Sequence, residues 1–106
     1  MNTSRTLPYY AVIFTSKQRP DIEGYEEMAR RMEYLARRQP GFLGMDHARS
    51  ELGITISYWE TEADILRWKA EEEHQKAQQL GRELWYESYE LRICKVEREY
   101  GFKHPN

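Results

Sequence analysis

One short stretch constrains the fold of this chain more than any other. Tyr9-Tyr10-Ala11-Val12-Ile13-Phe14-Thr15-Ser16 is aromatic and β-branched, which is the composition of a strand. Both of its alternate sets are apolar: Tyr9, Ala11 and Ile13 on one side, Tyr10, Val12 and Phe14 on the other. Side chains alternate across a strand, so neither face of this one belongs in water. The architecture must therefore bury a sheet on both sides.

The rest of the chain supplies the other elements. Pro20-Asp21 opens a predicted helix in which Ile22, Tyr25, Met28, Met32 and Leu35 form one stripe. It stops near Pro40-Gly41, because proline disfavours helical geometry in the residue before it. Phe42 to Arg49 reads as a second strand, Ser50 to Gly53 as a turn, and Ile54 to Trp59 as a third strand, the last two strands forming a hairpin. Thr61 is an expected N-cap, with Asp64 three residues on in a weak capping box. Helical pattern then runs through Ile65, Leu66, Trp68, His74, Ala77, Leu80, Leu84 and Trp85, with a break expected near Glu71 to Glu73 and either close packing or a second break at Gly81. Ser88 to Arg98 sets Tyr89, Leu91 and Ile93 against Glu90, Arg92, Cys94 and Val96, a fourth strand.

The order β-α-β-β-α-β is that of an α+β, ferredoxin-like domain. Right-handed crossovers place both helical segments on one face of a four-stranded antiparallel sheet. The opposite face has no cover within the chain, although the first strand is apolar there too. A second copy is the economical cover, so a twofold homodimer is expected. Residues 1–7 read as a loose arm, 8–102 as one domain, and 103–106 as a polar tail.

Composition narrows the function without naming it. At 106 residues, with 40% apolar and 13% aromatic content, the chain can bury a single core despite 32% charge. Its longest nearly apolar run, Leu7 to Phe14, is far shorter than the roughly 20 residues of a membrane-spanning helix. A net charge of −2 gives no global attraction to nucleic acid. The pairs Arg30-Arg31 and Arg37-Arg38 are interleaved with acids, as on a solvated face. One cysteine, Cys94, and no apolar leader behind Met-Asn-Thr-Ser-Arg point to the cytoplasm. There is no phosphate-cradling glycine motif. The histidines His47, His74 and His104 are not closely paired, so no metal site is expected.

His74 is the candidate acid-base residue, because it precedes Ala77, Gly81 and Trp85 at helical spacing and a half-buried imidazole can relay a proton. The competing reading is an exposed histidine after three glutamates. Arg92, on the same strand face as Cys94, is a candidate cation for a phenolate or enolate. Its competing reading is an ion pair with Glu90. Trp59, Trp68, Trp85 and Tyr58 are candidate substrate-binding walls, the Trp68 indole suited to stacking on a flat ring; the competing reading of Trp59 and Trp68 is ordinary core packing.

With that order established, the sequence resembles the antibiotic biosynthesis monooxygenase family of dimeric α/β-barrel proteins. The resemblance is carried by Pro40-Gly41-Phe42-Leu43-Gly44 and Ser57-Tyr58-Trp59-Glu60-Thr61-Glu62-Ala63. It extends through Trp68 to His74 and Ala77-Gln78, Gly81-Arg82-Glu83-Leu84-Trp85-Tyr86, and Val96 to Phe102. It implies a small cofactor-independent monooxygenase taking an aromatic, phenolic or quinol-like substrate and dioxygen, with Trp68 enclosing the substrate. Heme-degrading members imply an alternative with heme as cofactor. They place an asparagine on the first strand and a histidine about one turn beyond His74; this chain has neither, offering Ala77-Gln78 at the second place. A non-catalytic dimeric ligand-binding or stress-associated protein is the reading from another class.

Overall fold

The computed structural model describes residues 5–105. Four strands, β1 (Tyr9–Gln18), β2 (Phe42–Arg49), β3 (Gly53–Trp59) and β4 (Tyr86–Val96), form one sheet in the order β2-β3-β1-β4. Every neighbouring pair is antiparallel. Three α-helices, α1 (Tyr25–Arg37), α2 (Glu62–Ala70) and α3 (Glu72–Leu80), and a π-helical turn over Gly81–Trp85 complete the chain. This is the expected ferredoxin-like fold, with β1 in the interior of the sheet, as its two apolar faces require.

Register assigns the two faces. Tyr10 lies opposite Trp59, Val12 opposite Ser57 and Ile93, Phe14 opposite Thr55 and Leu91, and Ser16 opposite Gly53 and Tyr89. Trp59 meets Trp68 of α2, and Tyr25 of α1 meets Tyr86 and the Arg49 guanidinium, so this is the helix face. The other set, Tyr9, Ala11, Ile13 and Thr15 with Tyr58, Ile56, Ile54, Cys94 and Arg92, makes the open face. At its edge Arg5 folds over the rings of Tyr9 and Tyr58, and Glu99 bonds the Tyr9 hydroxyl.

The helices differ from the periodicity in instructive ways. α1 starts at Tyr25, not at Pro20-Asp21, because Gly24 takes the left-handed conformation (φ 87°) and ends the preceding turn. Glu26 and Glu27 in its first turn and Arg37 in its last suit the helix dipole. Gly41 is also left-handed (φ 83°), and the place of a side chain there is filled by the Asp64 carboxylate. Thr61 caps α2 as expected, accepting from the Asp64 amide at 3.0 Å, while its hydroxyl donates to the Asp64 carboxylate at 2.8 Å. Helical pattern then breaks at Glu71, whose backbone is extended (φ −61°, ψ 133°). The same residue caps α3: its carboxylate accepts from the His74 amide at 3.0 Å. An acidic residue at that break thus ends one helix and satisfies an orphan donor of the next.

Residues 1–4 of the expected arm, and Asn106 of the expected tail, lie outside the described residues. Arg5 donates to the Tyr9 hydroxyl at 3.2 Å, and that hydroxyl donates to Glu99 beyond β4 at 2.5 Å. No described helix is long and apolar enough to cross a membrane.

Candidate active site

Trp59 ends β3 with its side chain wholly buried, at 0% exposure. Its indole donates to Ser57 Oγ at 2.9 Å and meets the Phe42 ring edge-on at 5.3 Å. Trp68, on α2, lies 6.3 Å away at 25° from parallel. The imidazole of His74 also stacks on Trp68, 4.2 Å away and 16° from parallel. On one unbroken helix, residues six apart face different ways. The break at Glu71 brings them together.

His74 Nδ1 lies 2.9 Å from the Trp68 carbonyl. A carbonyl can only accept, so Nδ1 carries the hydrogen and Nε2 keeps a free lone pair in the neutral ring. Desolvation lowers the His74 pKa from 6.5, outweighing the Trp68 carbonyl and the Glu71 carboxylate, which raise it. The ring is therefore neutral at neutral pH, the state a proton acceptor needs. Beyond the stack, the helix face over β4 is apolar and open: Leu91 is 45% and Ile93 48% exposed.

The other candidates do not join this group. Trp85 is buried against Tyr25 at 5.7 Å and donates to the Glu23 carbonyl at 3.0 Å. It precedes Tyr86, which pairs with Gln18, whereas Trp59 pairs with Tyr10. The two tryptophans thus mark opposite ends of β1, roughly 25 Å apart. Tyr58 and Arg92 project on the open face. Tyr58 donates to Asp46 at 2.8 Å, and burial, then the Asp46 hydrogen bond, push its pKa up to about 12. Arg92 pairs with Glu90 at 2.7 Å in solvent, the structural alternative weighed above. Cys94 is a free, half-buried thiol on that same open face.

A second polar group on the helix face escapes sequence reasoning. Arg49, at the end of β2, reaches across Gly53 and donates from Nη2 to Ser16 Oγ on β1 at 2.7 Å. Its guanidinium carbon lies 5.9 Å from the Tyr25 ring centroid. Phe14, Tyr86 and Tyr89 cluster beside it, with centroids 5.1 to 5.8 Å apart. Burial and Tyr25 hold the Tyr86 phenol far above its ordinary range, while Arg49 pulls it back. The only sequence signal is an arginine opposite a glycine across a hairpin. No described histidine, cysteine and acidic side chains gather as a metal-binding group.

These features define a ferredoxin-like α+β protein with an aromatic-walled imidazole on its helix face. Comparison with known proteins gives the family: residues 9–80 match the model for antibiotic biosynthesis monooxygenases, and the chain belongs to that family. It is 48% identical over 98 residues to the uncharacterized protein YqjZ of Bacillus subtilis, spanning 91% of this chain and 86% of that protein. It is 26% identical over 78 residues to a jasmonate monooxygenase of Pyricularia oryzae, spanning 74% of this chain and 32% of that one. Among solved structures, SnoaB of Streptomyces nogalater, a cofactor-independent oxygenase, superposes with a TM-score of 0.71 at 16% identity, over 93% of this chain and 99% of that one.

Proposed function

We propose that the protein is a small monooxygenase that oxidises an aromatic, phenolic or quinol-like substrate with dioxygen and needs no bound cofactor. The observation that carries this reading is the neutral His74 imidazole, fixed through Nδ1 and stacked on Trp68, with no hydrogen bond to Nε2 among the described residues. Family membership and the relatives' names support the reaction type. The substrate lies on the helix face with Trp68 as its wall. Trp59 backs that wall, and His74 Nε2 takes the phenolic proton. The phenolate passes one electron to dioxygen; the resulting radical and superoxide join at a ring carbon. The hydroperoxide recovers the proton from His74 and loses water, leaving a quinone. The phenol and dioxygen atoms are then all in quinone and water. A low-dielectric wall around the developing charge favours this course over leakage to solvent.

The working form in this reading is a cytoplasmic homodimer closed over the open face, where Ile13, Ile54, Ile56 and Ala11 form an apolar row. Tyr58 and Arg92 belong to that face, and Trp85 to the far end of β1, so none of the three is assigned a part in the reaction.

The test is oxygen uptake with a panel of quinols and polycyclic phenols after exhaustive chelation, with parallel absorbance spectra. Uptake without a flavin or heme spectrum is expected. A Soret band on adding heme, with uptake only then, would replace this reading by the heme one, in which His74 Nε2 is the iron ligand. Binding without uptake across the panel would favour a ligand-binding module.

A further inference from the structure

We infer that Arg49 and Gln18 form a carboxylate-binding subsite on the helix face, selecting an organic acid whose flat apolar body lies along Tyr25, Phe14 and Tyr86. This rests on the proposal that the substrate occupies the helix face, and it adds the substrate's charge.

Three observations carry it. Among the described residues no carboxylate pairs with Arg49, a state it shares with several other arginines, but Arg49 is the one held over β3 by a bond to Ser16. A guanidinium has five N–H donors in a planar fork; Arg49 spends one on Ser16, which is 2% exposed. Its course is built in. A side chain at Gly53 would occupy the space of Arg49 Nη2, Cζ and Nε, so glycine is what lets the guanidinium pass over β3 to Ser16 while the side chain stays exposed. Finally, Gln18 lies two residues beyond Ser16 on β1 and, across the register shift between Lys17 and Gln18, pairs with Tyr86, whose ring meets Phe14 on the helix face. Its Nε2 is buried and has no hydrogen-bond partner among the described residues. A buried amide without an acceptor is costly. A partly unpaired cation and an orphaned donor on one strand face both call for an acceptor carrying negative charge. A carboxylate supplies two oxygens, one pair of lone pairs for the Arg49 fork and another for Gln18.

The subsite lies at the opposite end of β3 from Trp59, roughly 20 Å along the strand. An acid anchored at Arg49 must therefore be extended if its reacting ring is to reach Trp68 and His74. Short aromatic acids would bind at Arg49 alone.

The experiment is a calorimetric titration of the full chain with 2-naphthoate and, separately, the neutral 2-naphthylmethanol. The acid should bind at least about tenfold more tightly. Arg49→Met should bring the two ligands to equal affinity, and Arg49→Lys should keep part of the preference. Gly53→Ala should abolish it without removing any charge, because the new methyl displaces the guanidinium. Circular dichroism of each variant verifies folding, and the wild-type comparison of acid and alcohol stands without any variant. Equal affinities in the wild type, no binding of either ligand, or a preference that survives both Arg49→Met and Gly53→Ala would overturn the proposal. Titration requires no turnover. A protein that prefers the acid but consumes no oxygen keeps this subsite and loses the monooxygenase reading; quinol oxidation without acid preference does the reverse.

Discussion

The imidazole of His74 lies flat on the indole of Trp68, with ring centroids 4.2 Å apart and planes 16° from parallel. The carbonyl of the same tryptophan holds His74 Nδ1. One residue thus both holds the imidazole through its carbonyl and covers one face of the ring. Removing the ring while keeping the backbone separates the two. In Trp68→Ala the Nδ1 bond survives, but water reaches the imidazole, and the His74 pKa should rise toward 6.5. NMR titration of the His74 ring measures it; an unchanged pKa would show that the indole does not shield the imidazole.

The catalytic reading makes a kinetic prediction. On a substrate the protein oxidises, His74→Ala should slow turnover by about 10²–10⁴-fold with binding little changed. Trp68→Ala should chiefly weaken binding, through loss of stacking and apolar wall. A steady-state series resolves the two, since losses in kcat and in KM report different steps.

Stability should depend on pH through His74. Folding lowers its pKa below the unfolded 6.5, so as pH falls the unfolded chain takes up this proton before the folded one. The residue makes no difference well above 6.5 and destabilises the fold progressively below it. Urea midpoints of the wild type should drop between about pH 7.5 and 5.5, and His74→Gln should show a smaller drop over the same interval.

Glu71 should be separable into cap and charge. Glu71→Ala removes the acceptor of the His74 amide and should cost about 1 kcal/mol in denaturant unfolding. Glu71→Gln keeps an acceptor oxygen but loses the charge that raises the His74 pKa. It should unfold near the wild-type midpoint and lower that pKa further.

Much of this architecture is written in short-range pattern. The alternation from Tyr89 to Cys94 and the two apolar sets of β1 specify strands because side-chain direction is a local property. The break at Glu71 is legible too, since a glutamate run after Trp68 suits a helix start better than a helix middle. What pattern does not carry is register between distant strands. Arg92 and Cys94 alternate on β4 just as Ser57 and Trp59 do on β3, but only the pairings of both with β1 put them on opposite faces. Likewise Pro20-Asp21 resembles a helix start, and only the left-handed Gly24 postpones it to Tyr25. Arg49 is the clearest case: its role depends on a glycine four residues ahead and a serine thirty-three behind.

Gly41 tests how the hairpin edge is tied to α2. Its φ of 83° disfavours any side chain, and the Asp64 carboxylate already fills the place of one. Its carbonyl also accepts from the Glu60 amide at 2.8 Å. Gly41→Ala should therefore strain the backbone and displace Asp64 from its bond with Thr61, at a cost of about 1–3 kcal/mol. Thermal unfolding measures it. Asp64→Ala in the same background should recover part of the loss if collision with Asp64 dominates, and none if φ does.

The open face supplies the last prediction. Ile13 and Ile56 are paired across β1 and β3 there, on the face opposite the one that carries Trp59 and Trp68, with Ile54 on the same face at 42% exposure. Arg5 and Glu99 close over Tyr9 at one edge, and Asp46 and Arg92 flank the isoleucine pair on β2 and β4, so the apolar row is a stripe bordered by charge. A second copy related by a twofold axis would bury the row against itself, because a self-complementary patch meets its own image. Light scattering at micromolar concentration should then report about twice the 12.8 kDa chain mass. Ile56→Lys would place two like charges near the axis in an apolar interface and should yield monomer, with lower stability that no longer rises with protein concentration. The helix face does not include Ile56, so the His74–Trp68 stack should survive in that monomer. A wild type that is monomeric and fully folded at that concentration would rule out the dimer.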